Sequence, residues 1–312
     1  MTIVTLTANT ALDQTVFIDS FTPNLTIRAR ETVLSMAGKP TDASYILGQM
    51  GVSSRAMGFV AGVTGETIKN MLATVGVQAD FVRASGQSRI NTVIIAEADD
   101  THTTITTTSL RVLPEHIDQL RERYAQALDY ASCVIMGGSL PTTMSPDFYT
   151  EFIRVANENG VPTILDVESE NLRAGLKSRP TFIKPNEHEL AEFTGQRVDS
   201  LETAYAAGQQ ILKEFGTSSV ITLGGRGALA ILPDRAYYVP SIPVEVVSPA
   251  GAGDAVLAGL ALAIERDEAV EEGLRYGIAM ASAVVMQPGT AVLDPADARR
   301  FMAQVELEPY SP

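Results

Sequence analysis

The sequence has little of several residue types that commonly build functional sites. It contains one cysteine, Cys133, no tryptophan and three histidines. A single cysteine cannot form an internal disulfide, which favours a reducing compartment, and scattered histidines without cysteine partners argue against a zinc site. The N-terminal segment lacks the pattern of a signal peptide, and the most apolar window, residues 278–286, is about half the length that spans a bilayer. We therefore expect a soluble, cytoplasmic protein without a membrane partner.

Positive charge is also scarce. The chain has 23 basic and 37 acidic residues, which gives a formal net charge of −14. This excess repels phosphate backbones, so we expect no nucleic-acid partner, although a few local cations are enough to bind one small anion. Only five of the cations are lysines, so a lysine inside a chemical motif is informative: Lys39, Lys69, Lys177, Lys184 and Lys213.

Short β-branched runs alternate with helical patterns through most of the chain. The predicted strands are Thr2–Leu6, Arg55–Val60, Cys133–Met136, Thr163–Asp166, Thr181–Ile183 and Ser219–Thr222. The predicted helices are Thr41–Met50, Thr67–Val75, Pro114–Tyr130, Pro146–Asn159, Leu201–Phe215, Asp254–Glu265 and Ala269–Met286. This alternation predicts an α/β fold in which crossover helices cover a parallel sheet.

Two regions depart from this alternation of strands and helices. Apolar and polar side chains alternate with period two in residues 14–21, 89–97 and 101–108. This pattern predicts antiparallel strands of a small extra sheet. Such a sheet, apolar on one face and without a helix over it, needs cover from a ligand or a second copy of the chain. We expect one domain, 1–312, with a lid built from about 12–34 and 88–110.

The strongest chemical motif is Gly251-Ala252-Gly253-Asp254, which follows a strand and opens a helix. Glycines let backbone N–H groups converge, and a helix N-terminus adds partial positive charge. This arrangement suits a transferring phosphoryl group, and Asp254 could accept the proton of an attacking hydroxyl. The alternative is a glycine turn with an aspartate that only caps the helix.

A second motif, Lys184-Pro-Asn186-x-x-Glu189, combines a strand end with a helix start. An amide and a carboxylate at this spacing could hold Mg²⁺ through water, or could equally form a helix-capping pair. Further along, Thr222-Leu-Gly224-Gly-Arg-Gly227 is either a loop near a nucleotide or a tight hairpin.

In this order, seven short motifs resemble those of the PfkB group of ribokinase-like sugar kinases. They are Asn-Thr-Ala-Leu-Asp13, Ala-Gly38-Lys39, Gly138-Ser-Leu-Pro141, the Lys184 motif, Thr222-Leu-Gly224, Gly-Ala-Gly-Asp254 and Pro288-Gly-Thr290. The chain looks most like the 1-phosphofructokinase and tagatose-6-phosphate kinase branch. The resemblance covers nearly the whole chain and implies a ribokinase-like three-layer α/β/α sandwich with a mainly parallel central sheet and a small β-sheet lid.

The resemblance also implies roles for individual residues. Asp254 would be the catalytic base, and the amides of the anion hole would come from Gly251, Ala252 and Gly253. ATP would lie against Lys184, Asn186, Thr222, Gly224 and Gly227, and Mg²⁺ against Asn186 and Glu189 through water. The sugar would contact Asp13, Gly38, Lys39, Asp42, Arg89 and Gly138, with Lys39 and Arg89 holding the phosphate of a phosphosugar. Relatives often form homodimers through the lid strands, so we expect the same here.

One turn departs from the family pattern. The usual Gly-Gly-Lys-Gly-x-Asn is here Ala37-Gly38-Lys39-Pro40-Thr41-Asp42. An aspartate keeps the hydrogen-bond acceptors of asparagine, loses the amide donor and adds a charge about one helical turn from Lys39. Asp42 could partly neutralise the phosphate pocket or select another sugar, or it could simply sit in the first turn of a helix, where acids are favoured.

The leading hypothesis is therefore an ATP- and Mg²⁺-dependent kinase of a ketohexose phosphate, namely fructose 1-phosphate, fructose 6-phosphate or tagatose 6-phosphate. One alternative is a kinase of an unphosphorylated sugar or nucleoside, for which the altered turn is the best argument. Another alternative is a sugar-binding or regulatory relative whose substrate site has changed in sequence.

Overall fold

The computed structural model describes residues 1–108, 110–142 and 144–312. The strands are β1 (Thr2–Thr7), β2 (Ala11–Ile18), β3 (Glu31–Ala37), β4 (Ser54–Val60), β5 (Gln78–Arg83), β6 (Arg89–Ala96), β7 (Thr101–Ile105), β8 (Ala131–Gly137), β9 (Thr163–Asp166), β10 (Phe182–Ile183), β11 (Ser218–Thr222), β12 (Ala228–Ile231), β13 (Ala236–Val239) and β14 (Glu308–Pro309). The helices are α1 (Lys39–Gln49), α2 (Gly62–Thr74), α3 (Pro114–Leu128), α4 (Phe148–Glu158), α5 (Ser169–Leu176), α6 (Glu187–Thr194), α7 (Leu201–Phe215), α8 (Ala252–Glu265), α9 (Val270–Val285) and α10 (Pro295–Met302).

The larger sheet has ten strands in the order β14-β13-β12-β11-β10-β9-β8-β1-β4-β5. Every pairing from β11 to β5 is parallel, and the pairings from β11 to β14 are antiparallel. The predicted strands and the predicted mainly parallel sheet are confirmed.

Side chains of the central strands are buried on both faces of this sheet. Val4 and Val134 pack into one apolar cluster with α3, α4 and α7, whereas Ile3 and Cys133 pack into another with α1, α8 and α9. Successive side chains of a strand point to opposite faces, so an unbroken apolar run fits only where helices cover both. The result is the expected three-layer sandwich, with Cys133 as a core residue.

The smaller sheet, which we call the lid, has the strand order β3-β2-β6-β7. The hairpins β2–β3 and β6–β7 are antiparallel, as the sequence predicts, but β2 and β6 join them through a parallel pairing. The expectation of antiparallel strands throughout is wrong at this one pairing. The reason is topological: β2 follows β1 and β6 follows β5, and these two strands of the larger sheet run in the same direction.

The lid strands lie close to their predicted bounds. The first hairpin spans 11–37 rather than 12–34, and the second spans 89–105 rather than 88–110. The base of the lid is fixed by an apolar cluster in which Leu12 and Met36 pack with Val60, Ile68 and Phe81 of the larger unit. The division into one domain, 1–312, with a lid stays a prediction.

Parallel strands place their carboxyl ends at one edge of a sheet, where α/β proteins bind ligands. Here that edge carries the ends of β9, β10 and β11 and the residues that follow them, together with the starts of α1, α6 and α8. The chemical motifs of the sequence therefore converge on one edge. Within the described ranges, none of the helices has both the length and the apolar character needed to cross a bilayer.

Candidate active site

A cavity of about 790 Å³ lies along this edge of the sheet. Many of the residues that line it belong to the predicted motifs: Lys39, Lys184, Asn186, Glu189, Thr222, Gly224, Gly227, Ala252, Gly253 and Asp254. Gly251 precedes Ala252 at the same wall. Five of the residues predicted to contact the sugar are not part of the cavity lining: Asp13, Gly38, Asp42, Arg89 and Gly138. The predicted nucleotide residues thus come together in one cavity, to which Lys39 also contributes.

The start of α8 forms one end of the cavity. Gly251 is the residue before the helix, and its φ of 86° lies in the left-handed region. A Cβ at this position would lie 2.5 Å from the backbone nitrogen of Ala291, so only glycine fits. The first backbone amides of a helix have no acceptor within it, so those of Ala252 and Gly253 are available to an anion. The carboxyl group of Asp254 stands in the first turn beside them.

Lys184 lies directly against this helix start. Its side chain is nearly inaccessible to solvent, and a Cβ on Gly253 would lie only 3.2 Å from the Nζ atom of Lys184. The glycine therefore makes room for the ammonium group beside the helix N-terminus. Two sources of positive potential, the lysine and the helix end, act on the same point of the cavity.

The ammonium groups of Lys184 and Lys39 share Asp166. Lys184 Nζ lies 2.9 Å from Asp166 Oδ2, and Lys39 Nζ donates to Asp166 Oδ1 and to Glu189 Oε1, both at 2.9 Å. Burial alone would raise the pKa of Asp166, but the charges of the two lysines outweigh burial and lower it. Burial likewise opposes the charge of Lys39, but Asp166 and Glu189 hold its pKa above the usual value. Asp166 and Lys39 therefore stay charged near neutral pH.

Asp166 is a site residue that reasoning from the sequence missed. It is 1% exposed and ends β9, where an acid after the apolar run Thr-Ile-Leu is costly unless paired. That position, an acid at the carboxyl end of a predicted buried strand, was the signal that could have identified it.

Asn186 and Glu189 form the helix-capping pair. Asn186 Oδ1 accepts from the N–H groups of His188 and Glu189, and Glu189 Oε2 accepts from the N–H of Asn186 at 2.8 Å. The capping alternative is confirmed, and the role in Mg²⁺ binding stays a prediction. Because these oxygens are already hydrogen-bonded, the pair fits contact with Mg²⁺ through water rather than directly. Among the described residues, no group of three or more His, Cys, Asp or Glu is placed to hold a metal ion.

The glycine loop after β11 lies beside this pair. Thr222 forms a bridge with Asn186, and its N–H donates to the carbonyl of Pro185 at 3.0 Å. Gly227 has a φ of 96°, and a Cβ there would lie 2.0 Å from the carbonyl oxygen of Val239. The loop joins β11 to β12, and these two strands pair antiparallel. The hairpin alternative is therefore correct as structure, and Thr222, Gly224 and Gly227 still lie at the cavity wall.

Asp13 is held in place by residues that come from distant parts of the chain. Asn91 Nδ2 donates to its Oδ1 and Thr290 Oγ1 donates to its Oδ2, each at 2.8 Å. Burial raises the pKa of Asp13 above its usual range, although these two hydrogen bonds oppose the shift. The sequence did not identify Asn91 or Thr290 as site residues, because their importance depends on contacts across the fold.

Arg89 begins the lid strand β6 and lies near Gly138, because it contacts the next residue, Ser139. Arg89 Nη2 donates to Ser139 Oγ at 3.0 Å, and among the described atoms its Nε is buried without an acceptor. Burial lowers the pKa of Arg89, and the negative charges of Asp13 and Glu168 oppose that shift. Gly138 has a φ of 79°, and its N–H donates to the carbonyl of Asp166 at 2.9 Å.

Within the described residues, Asp42 forms no ion pair with Lys39, which is paired with Asp166 and Glu189. The carboxyl group of Asp42 lies close to that of Asp254 instead. The expectation that Asp42 neutralises Lys39 finds no support in these contacts. The carboxyl of Asp254 itself has a pKa raised to about 7, because burial and the charge of Asp166 outweigh Lys184, Lys39 and the side-chain interaction with Asp42.

Curated proteins similar to this chain include a 1-phosphofructokinase and a tagatose-6-phosphate kinase. A 1-phosphofructokinase of Bacillus subtilis is 29% identical over 281 residues, which cover 90% of this chain and 91% of that protein. A tagatose-6-phosphate kinase of Staphylococcus epidermidis is 28% identical over 309 residues, which cover 98% and 99% of the two chains.

Solved structures agree with this similarity. Phosphofructokinase-2 from Escherichia coli, in a complex with substrates and products, superimposes with a TM-score of 0.89 at 26% identity, covering 97% of this chain and 99% of that one. A ribokinase from Arabidopsis thaliana has a TM-score of 0.81 at 22% identity, covering 96% and 98%, which shows the shared ribokinase-like fold. The sequence profile of pfkB family carbohydrate kinases matches residues 4–297. The chain therefore belongs to the pfkB family of carbohydrate kinases, enzymes that transfer a phosphoryl group to an alcohol.

Proposed function

We propose that this kinase transfers the terminal phosphoryl group of ATP to a hydroxyl of a ketohexose phosphate: fructose 1-phosphate, fructose 6-phosphate or tagatose 6-phosphate. The observation that carries the proposal is the pairing of Asp254 with the amide-rich start of α8 and Lys184 at one end of the site. The names of the relatives supply the substrate class, since both curated kinds of protein act on a phosphosugar.

The phosphates of ATP fit the wall formed by the start of α8 and by Lys184. Backbone amides and an ammonium group stabilise the negative charge that develops on a phosphoryl group in transfer. Thr222, Gly224 and Gly227 line the adjoining wall, where the rest of the nucleotide would lie. Mg²⁺, when bound, neutralises phosphate charge, and Asn186 and Glu189 would hold it through water.

Asp254 is the group placed to remove the proton of the sugar hydroxyl. Its carboxylate borders the cavity next to the anion hole, where it could accept the proton while the hydroxyl oxygen attacks the terminal phosphorus. A base with a pKa near neutrality is well matched to this task, and the pKa of Asp254 is raised to about 7.

Recognition of the phosphate that the sugar already carries is assigned to Arg89. Among the described atoms, its guanidinium retains a buried N–H without an acceptor, which a phosphate oxygen would satisfy. Lys39 was predicted to share this task, but its ammonium is bound by two carboxylates. Asp13, held by Asn91 and Thr290, would accept hydrogen bonds from sugar hydroxyls.

The substrate class is tested by ADP release with purified protein, ATP, Mg²⁺ and each of the three ketohexose phosphates. We expect turnover with at least one phosphosugar and much lower turnover with fructose, ribose or a nucleoside. Turnover only with a neutral acceptor would establish the alternative of an unphosphorylated substrate. Sugar binding by calorimetry without any phosphoryl transfer would establish the regulatory alternative.

We also propose that the chain forms a homodimer through the lid. The register of the lid places Leu34, Gln14, Thr92 and Ile105 in one row across its four strands. Leu34 and Ile105 are about half exposed, at 48% and 50%, so the row presents apolar surface. A solved form of Escherichia coli phosphofructokinase-2, 25% identical with a TM-score of 0.88, is described as tetrameric.

Light scattering of the wild type and of Ile105→Glu tests this assembly. We expect a dimer for the wild type and a monomer for the variant, because a charge in an apolar contact is costly to bury. Val63→Glu, at an apolar residue that is 78% exposed on α2, is the matched control and should remain dimeric. A monomeric wild type contradicts the proposal. Cytoplasmic location and the lack of a nucleic-acid partner stay predictions.

A further inference from the structure

Asp42 is the buried acid for which the mechanism above has no use. It lies on α1 and is 3% exposed, and its carboxyl group lies close to that of Asp254 on α8. Among the described atoms, Asp42 Oδ1 is buried without a hydrogen-bond partner. Two carboxyl groups in contact can form a hydrogen bond only if one of them carries a proton.

The surrounding charges decide which of the two carboxyl groups keeps the proton. Asp254 is attracted to the ammonium groups of Lys184 and Lys39, which favour its ionised form. The charges that act most strongly on Asp42 are negative, those of Asp254 and Asp13. Together with burial they raise the pKa of Asp42 well above its usual range, and a hydrogen bond with the backbone of Gly38 only partly opposes this.

The other charged group that faces the pair is Asp166, whose negative charge opposes ionisation of Asp254. Asp166 is itself paired with both lysines, so much of its charge is compensated. A second ionised carboxylate at Asp42 would add an uncompensated charge to a site that also has to bind the phosphates of ATP. A neutral Asp42 avoids that cost and satisfies one oxygen of Asp254.

We propose that Asp42 is a positioning residue that stays protonated and donates its O–H to the carboxylate of Asp254. The proposal rests on the proposed role of Asp254 as the base. Asp42 holds the base in one orientation and stabilises its ionised form.

The proton balance of the reaction is then simple. The sugar O–H bond breaks, its proton binds Asp254, and the oxygen forms a bond to the terminal phosphorus of ATP while the bond from that phosphorus to the leaving ADP oxygen breaks. Both aspartates are protonated after transfer. Asp254 returns its proton to solvent through the cavity, and Asp42 keeps its own throughout.

The pH dependence of kcat separates this role from a structural one. Asp42→Asn supplies a donor that cannot ionise, so the acidic limb of the kcat profile should stay within roughly 0.3 pH units of the wild type. Asp42→Val fills a similar volume without a donor, so the limb should move upward by roughly one pH unit. Asp80→Asn, the same change at an acid paired with Arg55 and Arg123 away from the cavity, is the control and should leave the profile unchanged.

A limb that stays in place in Asp42→Val, or moves equally in Asp42→Asn, would overturn the proposal. If Asp42→Val does not fold, a spectroscopic measurement on the wild type decides. In protein labelled with carbon-13 at the aspartate carboxyls, we expect one carboxyl to remain protonated at pH 7.5, and this signal to be missing from Asp42→Asn. Complete ionisation of all aspartates at that pH contradicts the proposal.

These measurements also separate the proposal from the proposed function. Absence of kinase activity with every acceptor tested would refute the proposed function and leave no pH profile to measure. The carbon-13 signal does not depend on turnover, so it still shows whether Asp42 holds a proton next to Asp254.

Discussion

The site has two ends with differently paired cations. The strand end is formed by Lys39, Asp166, Lys184 and Asp254. There the ammonium of Lys39 donates to the carboxylates of Asp166 and Glu189, both at 2.9 Å. The lid end is formed by Asp13 and Arg89. There the guanidinium of Arg89 donates to the hydroxyl of Ser139 at 3.0 Å, and its buried Nε–H has no acceptor in the described part of the chain. From the sequence, Lys39 and Arg89 are predicted to contact the same phosphate. In the fold they differ in how far their hydrogen-bond donors are already paired with acceptors.

The difference shows that two cations of one site can serve two purposes. A cation already paired with two carboxylates gains little from an added anion, because binding must break or share existing contacts. A cation whose donors are incompletely satisfied gains a charge-assisted hydrogen bond without losing one. We therefore expect the strand end to govern chemistry and local stability, and the lid end to govern affinity for the phosphosugar.

The largest effect should follow loss of the base at the strand end. Asp254→Asn should lower kcat by roughly two orders of magnitude or more while the affinity for ATP changes little, since the amide retains the shape but not the basicity. Steady-state kinetics and calorimetry of ATP binding measure the two quantities. A kcat near that of the wild type would show that another group is the base.

The next effect belongs to the lid end. Arg89→Ala should raise KM for the phosphosugar by roughly 30-fold and change kcat much less, because a hydrogen-bonded charge pair is worth about 2 kcal/mol. Arg30→Ala, which removes a lid arginine paired with Glu97, is the control. A roughly 30-fold rise of KM in Lys39→Met, with no rise in Arg89→Ala, would show that Lys39 and not Arg89 binds the phosphate of the sugar.

A change of pH should act on the strand end. Because the pKa of Asp254 is raised to about 7 and its ionised form is the active one, kcat should fall as the pH decreases below that value. Well below the pKa, each pH unit should cost roughly tenfold. The measurement uses kcat at saturation, since the phosphosugar itself ionises near pH 6 and affects KM. A kcat that stays constant down to about pH 5 contradicts the assignment of the base.

The smallest effect concerns the free energy of unfolding. Lys39→Met should lower it by about 1 kcal/mol, since Asp166 keeps Lys184 as a partner while Glu189 loses its only cation within ion-pair distance among the described residues. Arg89→Ala should change it less, because Arg89 forms no ion pair within the described residues. Urea unfolding measures the free energy of unfolding of both variants. Equal values would show that the strand end does not contribute more to stability than the lid end.

The alternation of strand and helix patterns was sufficient to predict the α/β class, most strand positions and the single buried cysteine. These features depend on local spacing of apolar residues, which the chain itself carries. The glycine turn at 251–254 is predictable for the same reason, because only glycine tolerates the backbone conformation that the turn requires. The parallel pairing of β2 with β6 is not local, since it follows from where β1 and β5 lie in the larger sheet.

The sequence by itself determined which chemical groups are present and on which elements they stand: a base at the start of α8, a lysine before α6 and an arginine on the lid. Only the tertiary structure decided how these groups are paired. It brought Asp166 between two lysines, Asn91 and Thr290 to Asp13, and Asp42 to Asp254. The physical reason is that charge pairing and burial depend on distances between segments far apart in the chain, and local sequence patterns do not specify those distances.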